Sequence, residues 1–322
     1  MSEVSLIPRF RFLFCPVSIA VVSISLATIS FAQSVEVDRA QLVRNQPGLA
    51  VTPSTSSQGL TDGHAAASPN DPDLGEQQIL KRAEEYEPFT FSVGSPFYYT
   101  SNVGLTKNDE HGDFLVAPAA AFSYDPRFTK AFFGHFGVRQ QFFLYDRFDE
   151  FNFSTFDAEA GISYYLPQWH NLALHAEYIY TCFTDTDHFD DFFSNHALYF
   201  NAEIPFRFSR AQQISLGAEI NISIAGIPEQ PRRDEFGVYI AYSVSLTRSL
   251  SLTAAGRVTV RDYVPGDRCD VSEMLALTAS YQVTKWLTAS GIGSFAASQS
   301  NHSVFDYEVG NVGGAVSLTV KF

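Results

Sequence analysis

The last fifteen residues of the chain, Glu308–Phe322 (EVGNVGGAVSLTVKF), alternate between apolar and small or polar side chains. From Gly310 onward, the even positions carry Gly, Val, Gly, Val, Leu, Val and Phe, and the odd positions carry Asn, Gly, Ala, Ser, Thr and Lys. A period of two places successive side chains on opposite faces of a β-strand. The sequence therefore predicts a terminal strand with one apolar face, on which Phe322 is the last residue.

The same alternation recurs upstream, through a region over 87–322 in which Phe, Tyr, Ala, Ser and Gly dominate. Each segment between turn signals is longer than the roughly nine to eleven residues that a tilted strand needs to cross a bilayer. The twelve predicted strands are 88–100, 113–124, 130–145, 152–166, 171–183, 196–208, 213–225, 235–247, 250–263, 271–283, 286–297 and 308–322.

The connections between these strands alternate in kind. Short turns fall near residues 127, 169, 210, 248 and 285, and the connections between them are longer, acidic and polar, as in Thr184–Asn195. Such asymmetry is typical of transmembrane β-barrels, in which the short turns are periplasmic. An even strand number returns both barrel ends to the same side, and twelve satisfies this condition. Aromatic residues near the strand ends predict an interfacial girdle.

The chain begins with the pattern of a secretory signal. Residues 1–32 contain Arg9 and Arg11, then an apolar run over 12–27, then Ser30-Phe31-Ala32 before Gln33. This order of basic, apolar and small residues predicts a signal peptide over 1–32. Its removal leaves Cys182 and Cys269 as the two mature cysteines, and the sequence leaves open whether they form a disulfide.

Residues 33–86 separate the signal from the strands. Their first part is rich in Ser, Pro, Gly, Asn and Gln and poor in aromatic residues, a composition that does not bury enough apolar area to offset its ordering entropy. The sequence predicts a flexible periplasmic arm over 33–86, with a short helix near 73–86. Insertion of this arm into the barrel as a partial plug is the alternative.

Taken together, the signal, the repeated hairpins and the terminal Phe resemble the outer-membrane β-barrel proteins of Gram-negative bacteria. Tyr99-Thr100-Ser101-Asn102-Val103 also resembles the Tyr-x-x-Asn stretch in the first strands of porin-like barrels. The resemblance implies an all-β fold, a transmembrane antiparallel up-and-down β-barrel, located in the bacterial outer membrane. It also implies that the outer-membrane assembly machinery reads the terminal strand, through Val316, Leu318, Val320 and Phe322. A soluble β-sandwich or a periplasmic barrel is the alternative fold.

If even-numbered residues face lipid, the odd-numbered charged residues line the lumen. The acidic residues of this predicted wall are Asp157, Glu159, Glu177, Glu203 and Glu219, and the basic residues that flank them are Arg139, Arg257 and Arg261. A water-filled lumen with such a wall favours cations or polar solutes. Alternatively, the arginines pair with the carboxylates and brace a nearly closed barrel.

The loops and the histidines give no complete motif for a metal or for catalysis. Asp185 and Asp187 resemble a fragment of a calcium loop, but the Gly and distal Glu of that motif are absent. The eight His residues follow no metal-ligand spacing, and the His-x-Ser pair of the outer-membrane phospholipases does not occur. We therefore predict no cofactor, no metal and no enzymatic activity. The formal charge of −14 disfavours nucleic acid as a partner.

The sequence predicts a passive porin-like channel for small polar or cationic solutes. A non-conducting structural or adhesion barrel that acts through its acidic loops is the second hypothesis, and a lipid-modifying enzyme is the third. The expected partners are outer-membrane lipid, lipopolysaccharide and the assembly machinery, and the expected oligomeric state is a monomer.

Overall fold

A computed structural model of the chain describes residues 28–45, 86–187, 189–209, 211–264 and 266–322, with side chains of the first segment described from residue 35. The signal peptide up to residue 27 and the short helix expected near 73–86, except for Tyr86, lie outside these residues. The elements are α1 (Thr28–Arg44), β1 (Phe89–Thr100), β2 (Asp113–Val116), β3 (Ala119–Tyr124), β4 (Phe132–Tyr145), β5 (Phe153–Leu166), β6 (Leu172–Asp185), β7 (Asp191–Ser209), β8 (Gln212–Ile227), β9 (Arg233–Ser245), β10 (Leu250–Tyr263), β11 (Cys269–Gln282), β12 (Leu287–Ser300) and β13 (Tyr307–Lys321). Short 3₁₀ turns cover Asp149–Phe151, Pro167–Trp169 and Ser303–Phe305.

The strands form one closed antiparallel sheet in which consecutive strands pair, except β2 and β3. The sheet closes where β1 pairs with β13, in a register that runs from Thr90 opposite Lys321 to Thr100 opposite Asn311. The backbone of Phe322 continues this pairing, because its N–H donates to the carbonyl of Phe89 and its carbonyl accepts from the Phe89 N–H, both at 3.0 Å. Closure leaves none of the described strands with a free sheet edge, as a strand in lipid requires.

The predicted count of twelve transmembrane strands is confirmed. Although the sheet has thirteen segments, β2 and β3 both pair with β1 and with β4, so together they form one strand of the barrel. The interruption falls at Ala117-Pro118, where proline has no N–H to donate to the ladder.

The outer face of the barrel is apolar. Exposed large apolar side chains recur at every second position, among them Phe136, Val138, Leu275 and Val312, which are 50, 43, 65 and 61% exposed. In a bilayer this belt contacts hydrocarbon.

The prediction that even-numbered residues face outward holds for most strands, including the terminal one, but is wrong for β1 and β12, and in β11 the even-numbered Ser272, Ala276 and Thr278 face inward. In β1 the exposed positions are odd, as at Phe91, Val93 and Phe97, and in β11 they include Leu275 and Leu277. The numbering of the outward residues changes from even to odd between strands, because it depends on whether the connecting loop has an odd or an even number of residues.

One of the predicted loops is much shorter than expected. The sequence predicts a loop over Thr184–Asn195, whereas β6 continues to Asp185 and β7 begins at Asp191. The strands continue because Phe183 and Phe193 turn inward, where both are 3% exposed and their rings lie 5.7 Å apart. The connections at the two ends of the barrel therefore differ less in length than the sequence suggests.

Aromatic rings collect at the end of the barrel that carries the short turns and both sheet termini, which we call the short-turn end. Phe89 stacks against Tyr124 and Phe322, with centroids 4.8 and 5.7 Å apart. Trp169 and Trp286 lie at the same end and are 62 and 50% exposed. These rings form the predicted girdle at that interface. We call the opposite end the loop end.

Candidate functional site

Helix α1 occupies the lumen in the half of the barrel nearest the loop end. Ala40 and Val43 are 1 and 5% exposed and belong to a cluster with inward aromatic residues of the wall, such as Phe143 and Phe153. On the other side of the helix, Leu42 belongs to a second cluster with residues of β11 to β13. The helix therefore contacts opposite walls and fills the space between them.

This finding corrects the prediction for the first part of the arm. The segment 33–44 has strong helix formers, including Glu36, Ala40 and Leu42, and the helix ends at Arg44, whose positive charge suits a helix C-terminus. Its apolar residues have a place to be buried inside the barrel, which an arm free in the periplasm does not offer. The helix begins at Thr28, before the predicted cleavage position after Ala32, and the contacts described below come from residues after that position.

Asp38 of the helix joins a charged cluster on β9 and β10. Its carboxylate lies 2.8 Å from Arg233 Nη1 and 3.2 Å from Arg261 Nη1, and all three side chains are 4% exposed. Gln41, one turn further along, donates to Glu235 at 2.8 Å and accepts from Arg233 at 2.9 Å. Every charged group of this cluster therefore has a partner of opposite sign, as burial requires.

Arg44 joins a second charged cluster on β4 and β5. Its Nη2 lies 2.9 Å from Oδ2 of Asp157, and Arg139 Nε reaches the same oxygen at 3.1 Å. Arg44 also donates to Thr155, and Thr181 donates to the second Asp157 oxygen at 2.8 Å. Asp157 is 1% exposed, so its charge depends on these donors.

The helix completes the charge of both clusters. Without Asp38, the cluster on β9 and β10 holds two guanidiniums and one carboxylate. Without Arg44, Arg139 faces both Asp157 and the next inward carboxylate, Glu159. The helix thus contributes one charge of the required sign at each site, and this complementarity fixes its depth and rotation.

A cavity of about 270 Å³ lies beneath the end of the helix, toward the short-turn end. Arg44 and Asn45 form part of its lining, together with polar residues of the barrel wall. The acidic residues that line it are Asp157, Glu159, Glu177, Glu219 and Glu235, and the basic ones are Arg44, Arg139 and Arg257. The carboxylates therefore outnumber the guanidiniums by five to three in this lining.

All eight predicted wall residues lie inside the barrel, but they do not form one acidic surface. Asp157, Arg139 and Arg261 belong to the two clusters that hold the helix. Arg257 Nη1 lies 2.6 Å from Glu219 Oε1. Glu203 accepts a hydrogen bond from the Tyr239 hydroxyl at 2.8 Å.

The two remaining glutamates of the wall face histidines. Glu159 Oε2 lies 3.6 Å from His135 Nε2, and Glu177 Oε2 lies 2.8 Å from His175 Nε2. Both histidines occupy odd positions of strands whose even positions face outward, so they lie in the lumen. Each predicted glutamate therefore has a polar neighbour of its own.

Several lumen residues are absent from the predicted set: Asp38, Gln41, Arg44, Arg233 and Glu235. The three residues of the helix recur at intervals of three, which places them on one face of a helix, and this spacing is the signal that could have found them. Arg233 falls in a predicted loop, because the eighth predicted strand, which corresponds to β9, begins only at residue 235.

The cysteines and the loop acids make simpler contacts. Cys182 lies on β6 and Cys269 on β11, and no disulfide joins them. Asp185 accepts a hydrogen bond from the backbone N–H of Asp187 at 2.9 Å, an ordinary turn contact. Among the described residues, no helix is both long enough and apolar enough to cross a membrane.

Solved structures share this architecture. The chain is similar to the COG4313 outer membrane channel from Pseudomonas putida F1, with a TM-score of 0.51 and 11% identity over 74% of this chain and 98% of that one. It is similar to the translocator domain of the autotransporter NalP from Neisseria meningitidis, with a TM-score of 0.45 and 10% identity over 92% and 100%. For the KdgM porin the TM-score is 0.38 and the identity 7%, over 70% and 98%. No protein-family model and no curated protein matches the chain.

At such low identity the likeness concerns the fold. The closed sheet of twelve strands and its apolar outer belt, with the likeness in fold to the outer membrane channel at a TM-score of 0.51, define the chain as an outer-membrane β-barrel protein. Its location is accordingly the bacterial outer membrane.

Proposed function

We propose that the chain is a passive, porin-like channel for small polar or cationic solutes, and that helix α1 closes its lumen in the described conformation. The observation that carries the proposal is the polar cavity beneath the helix, whose lining has more carboxylates than guanidiniums. Fixed negative charge in a narrow aqueous path favours cations. Departure of α1 would also remove Arg44 from this path and make the wall more acidic.

The proposal requires that the helix can leave its site. Its charged partners on the barrel would become hydrated when it does, and hydration offsets part of the cost of separating the ion pairs. The helix is joined to the barrel through the segment before Tyr86, so it can undock without leaving the chain.

Planar bilayer recordings of the purified full-length protein test this function. In a KCl gradient, we expect reversal potentials that show a preference for K⁺ over Cl⁻. Glu219→Gln removes one negative charge beside Arg257 and lowers that preference. Glu110→Gln makes the same change in an exposed loop and serves as the matched control. Equal reversal potentials for the Glu219 variant and the native protein would contradict the proposal that cations pass through the cavity that Glu219 lines.

The ion pairs around α1 favour a second candidate function, that of a non-conducting structural or adhesion barrel. In that case the helix is a permanent brace, and the protein acts through its acidic loops. Absence of conductance both in the native protein and in a variant with a weakened helix contact supports this candidate. A change in phospholipid or lipopolysaccharide mass on incubation with the protein would instead indicate a lipid-modifying enzyme.

We also propose that the assembly machinery recognises the terminal strand through Val316, Leu318, Val320 and Phe322, and that the barrel works as a monomer in contact with lipopolysaccharide. The outward side chains of this strand and the stacking of Phe322 on Phe89 support the proposal. Phe322→Ser should lower the amount of folded barrel in the outer membrane, measured against the inward substitution Thr319→Ser as a control.

A further inference from the structure

Inside the barrel, toward the short-turn end, a histidine and two glutamates converge from three adjacent strands. One ligand atom from each of His135 on β4, Glu159 on β5 and Glu177 on β6 lies within 4.8 Å of the other two. None of these residues contacts α1 through a described hydrogen bond or ion pair. The cluster adjoins the second charged cluster through Glu159, which lies beside Arg139, but its three residues are not among the partners that hold the helix.

The strand register explains why these side chains meet. His135 lies opposite Gly161, and Gly161 lies opposite Glu177, so a glycine separates the two polar residues in one row across the sheet. A Cβ at Gly161 would lie 2.5 Å from the Cβ of Glu177. Because glycine has no side chain, His135 and Glu177 can approach each other above it. Glu159, two positions along β5, shares the same inward face.

A carboxylate orients the first histidine. Nδ1 of His135 lies 2.5 Å from Oδ1 of Asp125, in the adjacent turn. This contact directs Nε2 into the cluster, where it faces Glu159 Oε2 at 3.6 Å, beyond hydrogen-bond distance. Histidine ligands of metal ions commonly use their other ring nitrogen in this way, toward a carboxylate that fixes the tautomer and the ring plane.

A second histidine stands beside the cluster in a similar arrangement. Nδ1 of His175 lies 2.8 Å from Oγ of Ser163, and its Nε2 lies 2.8 Å from Oε2 of Glu177. The rings of His135 and His175 are perpendicular neighbours, with centroids 6.2 Å apart. The cluster therefore has two imidazoles whose Nδ1 atoms are engaged and whose Nε2 atoms point toward carboxylates.

The atoms that face the centre of the cluster are buried and lack hydrogen bonds. His135 Nε2, His175 Nε2 and Glu177 Oε2 have no hydrogen-bond partner, although the last two atoms lie 2.8 Å apart as an ion-pair contact. The side chains of both histidines and of Glu177 are 3% exposed. Buried polar atoms without partners cost free energy, and an ion that binds all of them would remove this cost.

We propose that His135, Glu159 and Glu177 bind a divalent transition-metal ion such as Zn²⁺, with His175 or a water molecule as the fourth ligand. Imidazole nitrogen and carboxylate oxygen are ordinary zinc ligands, at about 2.0–2.2 Å. Ligand atoms around a tetrahedral ion at that distance lie roughly 3.4 Å apart, so shifts of about 1 Å in the two glutamate side chains complete the site. Two carboxylates and two neutral imidazoles balance the charge of the ion.

Zinc binding to the purified full-length protein in detergent tests the proposal. After chelator treatment and removal of the chelator, we expect one tightly held Zn²⁺ per chain by elemental analysis, and no comparable retention of Ca²⁺ or Mg²⁺. Co²⁺ at the same site should give the visible absorption of a tetrahedral ion. Neither measurement depends on conductance, so a failure here leaves the proposed channel function standing, and the reverse also holds.

Substitutions locate the site. Glu177→Gln and His135→Gln each remove one ligand and should weaken Zn²⁺ binding at least tenfold. Asp125→Asn leaves the ligands in place but alters the orientation of His135, and should weaken binding by roughly 10–100-fold. Asp187→Asn, in an exposed loop, should change nothing. The heat-modified mobility of each variant on gels confirms that the barrel has folded.

Two results would overturn the proposal. One is a native protein that holds no Zn²⁺ after equilibration with micromolar metal. The other is zinc binding that Glu177→Gln and His135→Gln leave intact, or that Asp187→Asn abolishes, because the ion would then reside on the loops.

Discussion

The contact between Asp38 and the barrel gives the sharpest test of how firmly α1 is held. Asp38→Asn removes the one negative charge that the helix places between Arg233 and Arg261, at 2.8 and 3.2 Å. Removal of one partner from a buried ion pair costs about 3–5 kcal/mol, because the remaining charge stays buried without compensation. We expect the low end of this range, about 3 kcal/mol, because an amide oxygen still accepts a hydrogen bond.

This cost applies only while the helix is docked, since undocking exposes both arginines to water. The equilibrium between docked and undocked helix should therefore shift toward the undocked state by roughly 100-fold, at about 1.4 kcal/mol for each factor of ten. Hydrogen exchange of the backbone amides of residues 36–44 reports this opening directly. Bilayer conductance should rise in parallel if the helix closes the pore.

The matched control is Glu36→Gln on the same helix. The described ion pair of Glu36 is with Arg39, one turn away in α1, at 3.6 Å. Loss of a pair within the helix does not favour undocking to a comparable extent, and we expect less than about a fivefold change in exchange, typical of such helical pairs. If Asp38→Asn leaves the exchange of this segment within twofold of the native protein, the ion pairs do not hold the helix in place.

Two further predictions concern the barrel itself. Gly161→Ala places a Cβ 2.5 Å from the Cβ of Glu177 on β6 and 2.7 Å from a backbone carbonyl oxygen. The substitution should lower the free energy of unfolding in urea by roughly 1–3 kcal/mol. Gly291→Ala is the control and should not lower it, because a Cβ at Gly291 has no neighbour within 4 Å. At the loop end, partial burial raises the pKa of Asp306, but hydrogen bonds from Lys107 and from a backbone N–H outweigh it and hold the pKa below its ordinary value of 3.8. The ion pair between Lys107 and ionised Asp306 therefore stabilises the loop by less than about 1 kcal/mol at pH values above 3.8. This contribution is lost as the pH falls through the lowered pKa of Asp306, because the carboxylate then takes up a proton. A spin label in the loop 101–112 should become more mobile on acidification in the native protein, but should already be mobile at neutral pH in Asp306→Asn.

The barrel could be predicted because its signal is local. Alternation with a period of two is visible within each strand, and the terminal segment that ends at Phe322 shows it in full. The parity of β1 and β11 could not be carried over from their neighbours, since it depends on the path of each loop. The extent of β7 was missed because Phe193 lies among acidic residues that are typical of a loop, and its burial depends on a helix from the other end of the sequence.

The helix in the lumen has no comparable local signal in the sequence. Asp38 and Arg233 are almost two hundred positions apart, and no local pattern connects a residue of the arm to a particular strand. The spacing of Asp38, Gln41 and Arg44 indicates a polar helical face, but it does not identify the surface that this face contacts.

The histidine–glutamate cluster was missed for a related reason. Metal motifs are recognised by the spacing of ligands along one segment, whereas His135, Glu159 and Glu177 are spread over three strands. Their convergence follows only when the register is known and Gly161 is seen to lie between them.

The position of α1 sets the order in which the molecule can be completed. Its partners come from β4 and β5 on one side, β9 and β10 on another, and β11 to β13 on a third, so its docking site exists in full only after the last hairpin has joined the first strand. Until then the half of the barrel nearest the loop end remains hydrated, and Arg233 and Arg261 lack the carboxylate of Asp38. We therefore expect the amino-terminal segment to enter late in biogenesis, and protection of residues 36–44 from proteases would show that the barrel has closed around it.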